Sequence, residues 1–173
     1  MYVPKTFTAT AEHTEMTRSD NQKEITSKIK LMAQNNGFDA VGICKAENMD
    51  EDWSIFNRWI KEGRHSVMTY LERQSNLRKN PSNLFDKAKS VILVLKNYNC
   101  EDSFSEEKYS VAKYAYGKDY HLIIKKKLKS LLNEIKQMYP QSQGRYFTDT
   151  APLLERSLAV RAGLGFIGKN TCL

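Results

Sequence analysis

The sequence predicts a layered α/β (α+β) domain, a mixed sheet flanked by helices. Two observations carry this reading. Apolar residues recur at steps of three and four in several stretches, and compact apolar runs rich in Val and Ile fall between them, with glycines at the joins. At 173 residues the chain is long enough for one domain with a real core. Its 40% hydrophobic and 27% charged content is that of a globular protein, which argues against disordered and fibrous classes. No apolar run approaches the ~20 residues of a membrane-spanning helix. The start of the chain also lacks the apolar centre of a signal peptide.

Residues 1–18 are Thr-rich and aperiodic, and read as a flexible arm; 19–173 form the domain. A helix is expected over 20–36, with Ser19 or Asp20 as cap, Ile25, Ile29 and Met32 as stripe, and Gly37 as left-handed stop. The apolar run over 38–44 is a strand, with Cys44 a small buried hydrophobe. A second helix over 50–61 places Trp53, Phe56 and Ile60 on one face and stops at Gly63. A short helix over 68–73 follows a polar turn that holds His65. The stretch 76–81 is a loop, because the residue before Pro81 avoids the helical region. The continuous aliphatic run over 90–98 marks a strand buried on both faces, and 99–107 a polar surface loop.

Residues 109–116 alternate as a strand would and end at the Gly117-Lys118-Asp119 turn. From Tyr120, the series Ile124, Leu128, Leu131, Ile135 and Met138 is the strongest helical signal in the chain. Lys125, Lys126, Lys127 and Lys129 cover its other faces, either as a solvated surface or as contacts to nucleic-acid phosphates. The net charge of +7 permits a polyanionic partner without requiring one. Cys44, Cys100 and Cys172 are odd in number and far apart, which fits a reducing, cytoplasmic setting better than a disulfide scaffold.

The last thirty residues organise the rest. A short strand, Arg145-Tyr146-Phe147, reaches Asp149, and Thr150-Ala151-Pro152 opens a helix with Leu154, Leu158 and Ala162 as its stripe. Glu155 falls in the first turn, where a negative charge suits the helix dipole. Gly163, Gly165 and Gly168 then lead to Lys169-Asn170. Those glycines spell a dinucleotide-binding pattern, but they follow a helix rather than a strand, which removes that reading. Asp149 is either a helix cap, which stays ionised, or a proton donor, which needs its pKa raised. The residues alone leave both open.

Four stretches together resemble the epoxyqueuosine reductase family: FTDTAPLLERSLAVRAGLGFIGKN over 147–170, YAYGKDYH over 114–121, KSVILVLKNY over 89–98 and WIKEGRHSVMTYL over 59–71. The resemblance implies a cobalamin-dependent reduction of epoxyqueuosine to queuosine in tRNA. It assigns Asp149 as the proton donor. It implies cobalamin contacts at Arg78, Ala112, Lys113, His121, Asp149, Lys169, Asn170 and Leu173, and a substrate contact at Arg156. Electrons would reach the cofactor from a donor through two 4Fe–4S clusters. The family carries those clusters on a ferredoxin-like part with Cys-x-x-Cys sets, which these three cysteines do not form. The chain is therefore expected to be the amino-terminal cobalamin-binding part, monomeric, away from membranes and inactive by itself. Alternative readings are a cobalamin-holding fragment without catalysis, and a basic RNA-binding domain without cofactor.

Overall fold

The computed structural model describes residues 11–99, 112–115 and 117–173. Among them are five α-helices and two β-strands. Helix α1 (Ala11–Asn35) begins nine residues before the expected start at Asp20, because neither Gly nor Pro interrupts 11–20. Of the expected arm, residues 1–10 lie outside the described residues. The helix ends as the sequence predicts. Gly37 adopts φ 79°, its N–H donates to Gln34, and the Phe38 N–H donates to Ala33. This pairing satisfies the last free carbonyls and lays the Phe38 ring against Ala33.

Strand β1 (Ala40–Lys45) leaves that turn and pairs antiparallel with β2 (Ser90–Leu95), from Ala40 opposite Leu95 to Lys45 opposite Ser90. The sheet of the described residues is thus two-stranded and antiparallel, not mixed. The expected third and fourth strands supply no further pairing there. Lys113–Ala115 form a 3-10 turn, and 109–111 and 116 lie outside the described residues. Residues 145–147 run without ladder partners. With one neighbour each, the strands are half-buried, so β2 is less enclosed than its aliphatic run implied.

Side chains alternate across this sheet. On one face Val41, Ile92 and Val94 meet the buried cluster Ala33, Phe38, Leu131 and Ile135, which joins α1 to α4 (Tyr120–Met138). Ile124 and Leu128 pack there as their spacing predicts, while Met138, expected in the same stripe, is exposed. On the other face lies α5 (Glu155–Arg161), with Leu158 and Ala159 buried. A Cβ on Gly42 would come within 2.7 Å of the Ala162 carbonyl oxygen and 2.8 Å of Leu164 Cγ. Gly42 therefore lets the end of α5 sit directly on β1. Gly42→Val lowers stability by about 1–3 kcal/mol through overpacking, read as a fall in the urea midpoint.

Helices α2 (Asp50–Lys61) and α3 (Thr69–Arg73) fill the connection between the strands. The stretch 76–81, expected as loop, instead enters two short 3-10 turns, Asn76–Lys79 and Pro81–Asn83, the second capped by Asn80, whose side chain accepts from the Ser82 N–H. Trp53 donates to the Ser75 carbonyl at 2.9 Å, and Ile60 is buried, so the aromatic face of α2 is packing surface.

Candidate functional site

The site is built where the start of α4, the loop before α5 and the C-terminal turn meet. Asp119 caps α4 by accepting from the His121 N–H at 2.9 Å. The same carboxylate meets His121 Nδ1 at 2.8 Å. Those bonds hold the Asp119 carboxyl below its ordinary range. The cap fixes the first turn, so Tyr120 projects toward the α5 loop and its ring stacks on His121 at 4.1 Å. Tyr114 packs edge-on against Tyr120, and Tyr98 against Tyr114. Tyr98 and Tyr114 are both exposed.

Tyr120 Oη donates to Asp149 Oδ2 at 2.5 Å. That bond is the main reason its phenol pKa is pushed up to about 12. The tyrosine therefore stays a donor at any physiological pH. Asp149 adopts φ 51°, a left-handed conformation that Asp tolerates better than most residues. It does not cap α5. The helix starts only at Glu155, behind Leu154 and without a side-chain cap. The capping reading of Asp149 fails because the Thr150–Leu154 stretch intervenes as non-helical chain.

Glu155 joins Asp149 instead. Its carboxyl lies close enough to Asp149 to be influenced by that charge. Its pKa is raised to about 7, first by burial and then by the Asp149 charge. At the start of α5 the helix dipole favours the ionised form. Burial and a neighbouring carboxylate outweigh it, so the sequence expectation of a simple dipole-matched charge is corrected. None of the ion pairs among the described residues involves either carboxylate. Thr148, directly before Asp149, is buried, and its Oγ1 has no hydrogen-bond partner among the described residues.

Arg156 turns away from the acids and donates to the Thr171 carbonyl. This ties the C-terminal turn to the start of α5. Within the turn Gly168 N–H donates to Cys172, and Asn170 Oδ1 accepts from the Cys172 N–H at 3.2 Å. Lys169, Asn170 and Leu173 are exposed beside Phe166, itself 79% exposed.

The structure thus gathers Asp149, His121, Arg156, Asn170 and the end of the chain around one corner. Arg78 is set apart from these contacts. It is only 9% exposed, donates to the Gln74 carbonyl and lies 5.3 Å over the Phe56 ring, so it is not a solvated surface arginine. Ala112 accepts from the Ala115 N–H. Lys113 opens the 3-10 turn, and its side chain lies outside the described residues, as does Cys100. Cys44 is half-buried, and burial pushes its thiol pKa up, which suits an inert packing role. Among α4's lysines, Lys127 donates to the Asn36 carbonyl at 2.8 Å and so secures the end of α1. Lys125, Lys126 and Lys129 are exposed. Sequence reasoning missed Tyr120 and Glu155 as members of the site. Their only signals were an aromatic at a helix start and an acid six positions after Asp149.

Among the described residues, no helix is long and apolar enough to cross a membrane, and no group of three or more His, Cys, Asp or Glu could hold a metal ion. Residues 78–150 match the family described as Epoxyqueuosine reductase QueG, DUF1730. The chain is 39% identical to an epoxyqueuosine reductase of Leadbetterella byssophila over 151 residues, 87% of this chain and 50% of that protein. Against the one of Cyclobacterium marinum it is 39% identical over 86% of this chain and 48% of the relative. The fold is similar to the structure of epoxyqueuosine reductase from Streptococcus thermophilus, with TM-score 0.71 and 26% identity over 84% of this chain and 40% of the other. It is also similar to an epoxyqueuosine reductase crystallised with an epoxyqueuosine-modified tRNA-Tyr stem loop, with TM-score 0.75 and 25% identity, covering 87% of this chain and 41% of that one. The chain spans about half the length of the curated relatives it matches.

Proposed function

Because the chain belongs to the epoxyqueuosine reductase family over about half the length of its relatives, we propose that it is the amino-terminal, cobalamin-binding part of an enzyme that reduces epoxyqueuosine to queuosine in tRNA. The observation that carries this reading is the hydrogen bond from Tyr120 to Asp149, beside which burial and the Asp149 charge raise the pKa of Glu155. An epoxide that loses its oxygen takes two electrons and two protons, and the oxygen must be protonated as its bond to carbon breaks. The family resemblance assigns this step to Asp149. Tyr120 holds one of its oxygens, and the raised pKa of Glu155 keeps a proton in the cluster near neutrality.

The residues present fit a corrin. The exposed apolar surface of Phe166, Ile167 and Leu173 suits a flat macrocycle, and the amide and ammonium groups of Asn170 and Lys169 suit its polar arms. Ala112, Lys113, His121 and Asp149 would complete the set that holds it, and Arg156 would meet the substrate; Arg78, packed over Phe56 and apart from this corner, is assigned to the corrin by the family resemblance alone. When bound, cobalamin supplies the electrons, delivered by a donor through two 4Fe–4S clusters on the rest of the enzyme. The chain's own residues would orient the epoxide oxygen and move its proton. The exposed lysines of α4 suit the phosphates of a tRNA substrate met in the cytoplasm.

The test is retention of cobalamin. The purified chain, mixed with the cofactor and freed of excess, keeps stoichiometric visible absorbance. A folded chain that retains none has no corrin site of its own. Salt-sensitive tRNA binding without colour would instead favour the basic RNA-binding reading, and cofactor uptake without reduction in the complete enzyme a non-catalytic holder.

A further inference from the structure

We propose that Tyr98 and Tyr114 form a stacking platform for an unpaired base of the RNA substrate, beside the acid that acts on it. Three tyrosines from separate parts of the chain meet in a row. Tyr98 follows β2, Tyr114 sits in the 3-10 turn Lys113–Ala115, and Tyr120 opens α4. Ring centroids are 6.3 Å apart from Tyr98 to Tyr114 and 6.1 Å from Tyr114 to Tyr120, with interplanar angles of 79° and 88°. An edge-to-face contact covers a face of only one of its two rings, so this row leaves π-faces open that stacked tyrosines would hide. The inner end of the row is closed: Tyr120 stacks on His121 at 4.1 Å and donates to Asp149 at 2.5 Å. The outer end is open, with Tyr98 64% and Tyr114 54% exposed.

Core packing does not account for the outer pair. The buried cluster is built from Ala33, Phe38, Leu131 and Ile135, and neither tyrosine belongs to it or to the apolar residues packed on it. Aromatic rings left in water beside a site suit a nucleobase, because every base offers a π-face. The charges nearby fit the same partner. Lys118 lies in the turn between Tyr114 and Tyr120, and Lys125, Lys126 and Lys129 continue along α4. All four are exposed, and none takes part in an ion pair among the described residues. Asp119, the acid of that turn, is engaged by His121. Rings beside cations that no carboxylate neutralises make the surface a single strand needs: stacking for the base, charge for its phosphates. A neutral sugar would use the rings but not the lysines.

The platform also sets what the acid meets. A base stacked on Tyr114 lies one ring away from Tyr120, whose hydroxyl holds Asp149. A strand gripped there by one base presents the adjoining nucleotide to the acid, already separated from its stacking neighbour. No bond is made or broken on the tyrosines, which bind and orient. That the strand is the loop of a tRNA carrying epoxyqueuosine rests on the reading above; the platform itself rests on the rings and their exposure.

Binding of an unmodified tRNA stem-loop RNA to the complete enzyme, followed by fluorescence anisotropy, tests this without epoxide or electrons. Tyr98→Ala and Tyr114→Ala are each expected to weaken binding about 5–150-fold, the usual stake of one stacked base. Tyr98→Phe and Tyr114→Phe keep the wild-type affinity, whereas Tyr98→Leu and Tyr114→Leu, apolar but without a π-face, do not. The salt slope of binding is unchanged in all of these, while Lys118→Ala lowers it by about one unit. Wild-type affinity in both Ala variants overturns the proposal, as does a wild-type enzyme that binds no RNA. Rescue by Leu as complete as by Phe marks plain apolar contact and also overturns it. Ala variants that lose cobalamin while still holding the RNA show that the rings face the corrin instead, with the same consequence. An enzyme that grips the RNA through these rings yet leaves epoxyqueuosine tRNA unreduced keeps the platform and loses the functional reading. One that reduces the tRNA while both Ala variants bind at wild-type strength does the reverse.

Discussion

Asp149→Asn in the cobalamin-loaded enzyme is expected to leave the cofactor bound and to lower turnover by about 10²–10⁴-fold, the usual contribution of a positioned acid. The substitution is nearly isosteric. Asn keeps an oxygen to accept from Tyr120, so the hydrogen bond at 2.5 Å can persist and the first turn of α4 stays in place. What is lost is a group able to release a proton to the substrate. The left-handed backbone at φ 51° also suits Asn as well as Asp, so folding is not the cause of any loss. The measurement is single-turnover reduction of epoxyqueuosine-containing tRNA, with visible absorbance confirming the bound cofactor. Activity within a few fold of wild type, at full cofactor occupancy, removes Asp149 as the donor.

Phe38→Ala is expected to cost about 3–5 kcal/mol of folding stability. Phe38 is 3% exposed and touches the cluster formed by Ala33, Leu131 and Ile135. It is also the residue whose N–H closes the end of α1. Its ring therefore holds three elements at once: the helix it terminates, the strand it precedes and α4 across the sheet. The surrounding groups come from separate elements and cannot collapse together into the space left, which puts the cost toward the upper part of the range. Chemical denaturation of the variant, compared with Leu31→Ala on the exposed side of α1, checks this; equal small effects would mean the cluster is not the main core.

Much of the fold could be read from the residues, for local reasons. Gly37 had to end α1 because only a residue at ease with positive φ closes that turn, and α4 declared itself by a sustained apolar stripe. The sheet was misjudged because alternation over 109–116 and the apolar run over 145–147 describe side-chain character, not the presence of a partner strand. Ladder pairing is a long-range fact. Asp149 was legible as a candidate through the stretch that resembles the family motif, but its surroundings were not. Glu155 looked like a dipole-matched charge because a sequence shows position along a helix and hides burial. Tyr120 lies twenty-nine positions from the acid it binds, and no local pattern joins them. Arg78 shows the same gap: its charge argued for solvent or ligand, and its ring contact with Phe56 could be seen only in three dimensions.

The pairing of β1 with β2 bears on how the molecule comes to be folded. The nearest partners, Lys45 and Ser90, are forty-five positions apart, and α2 and α3 lie between them. Bringing such ends together costs about 3 kcal/mol of chain entropy before a single ladder bond repays it. The sheet therefore cannot be the seed of folding. Helices α1 and α4 can form locally, but they too meet only across the length of the chain. Acquisition of the native state is governed by distant encounters, which makes it slow for a chain so rich in helix. A ribosome-bound nascent chain would hold β1 unpaired until β2 emerges, with one apolar face open to whatever helper is nearby.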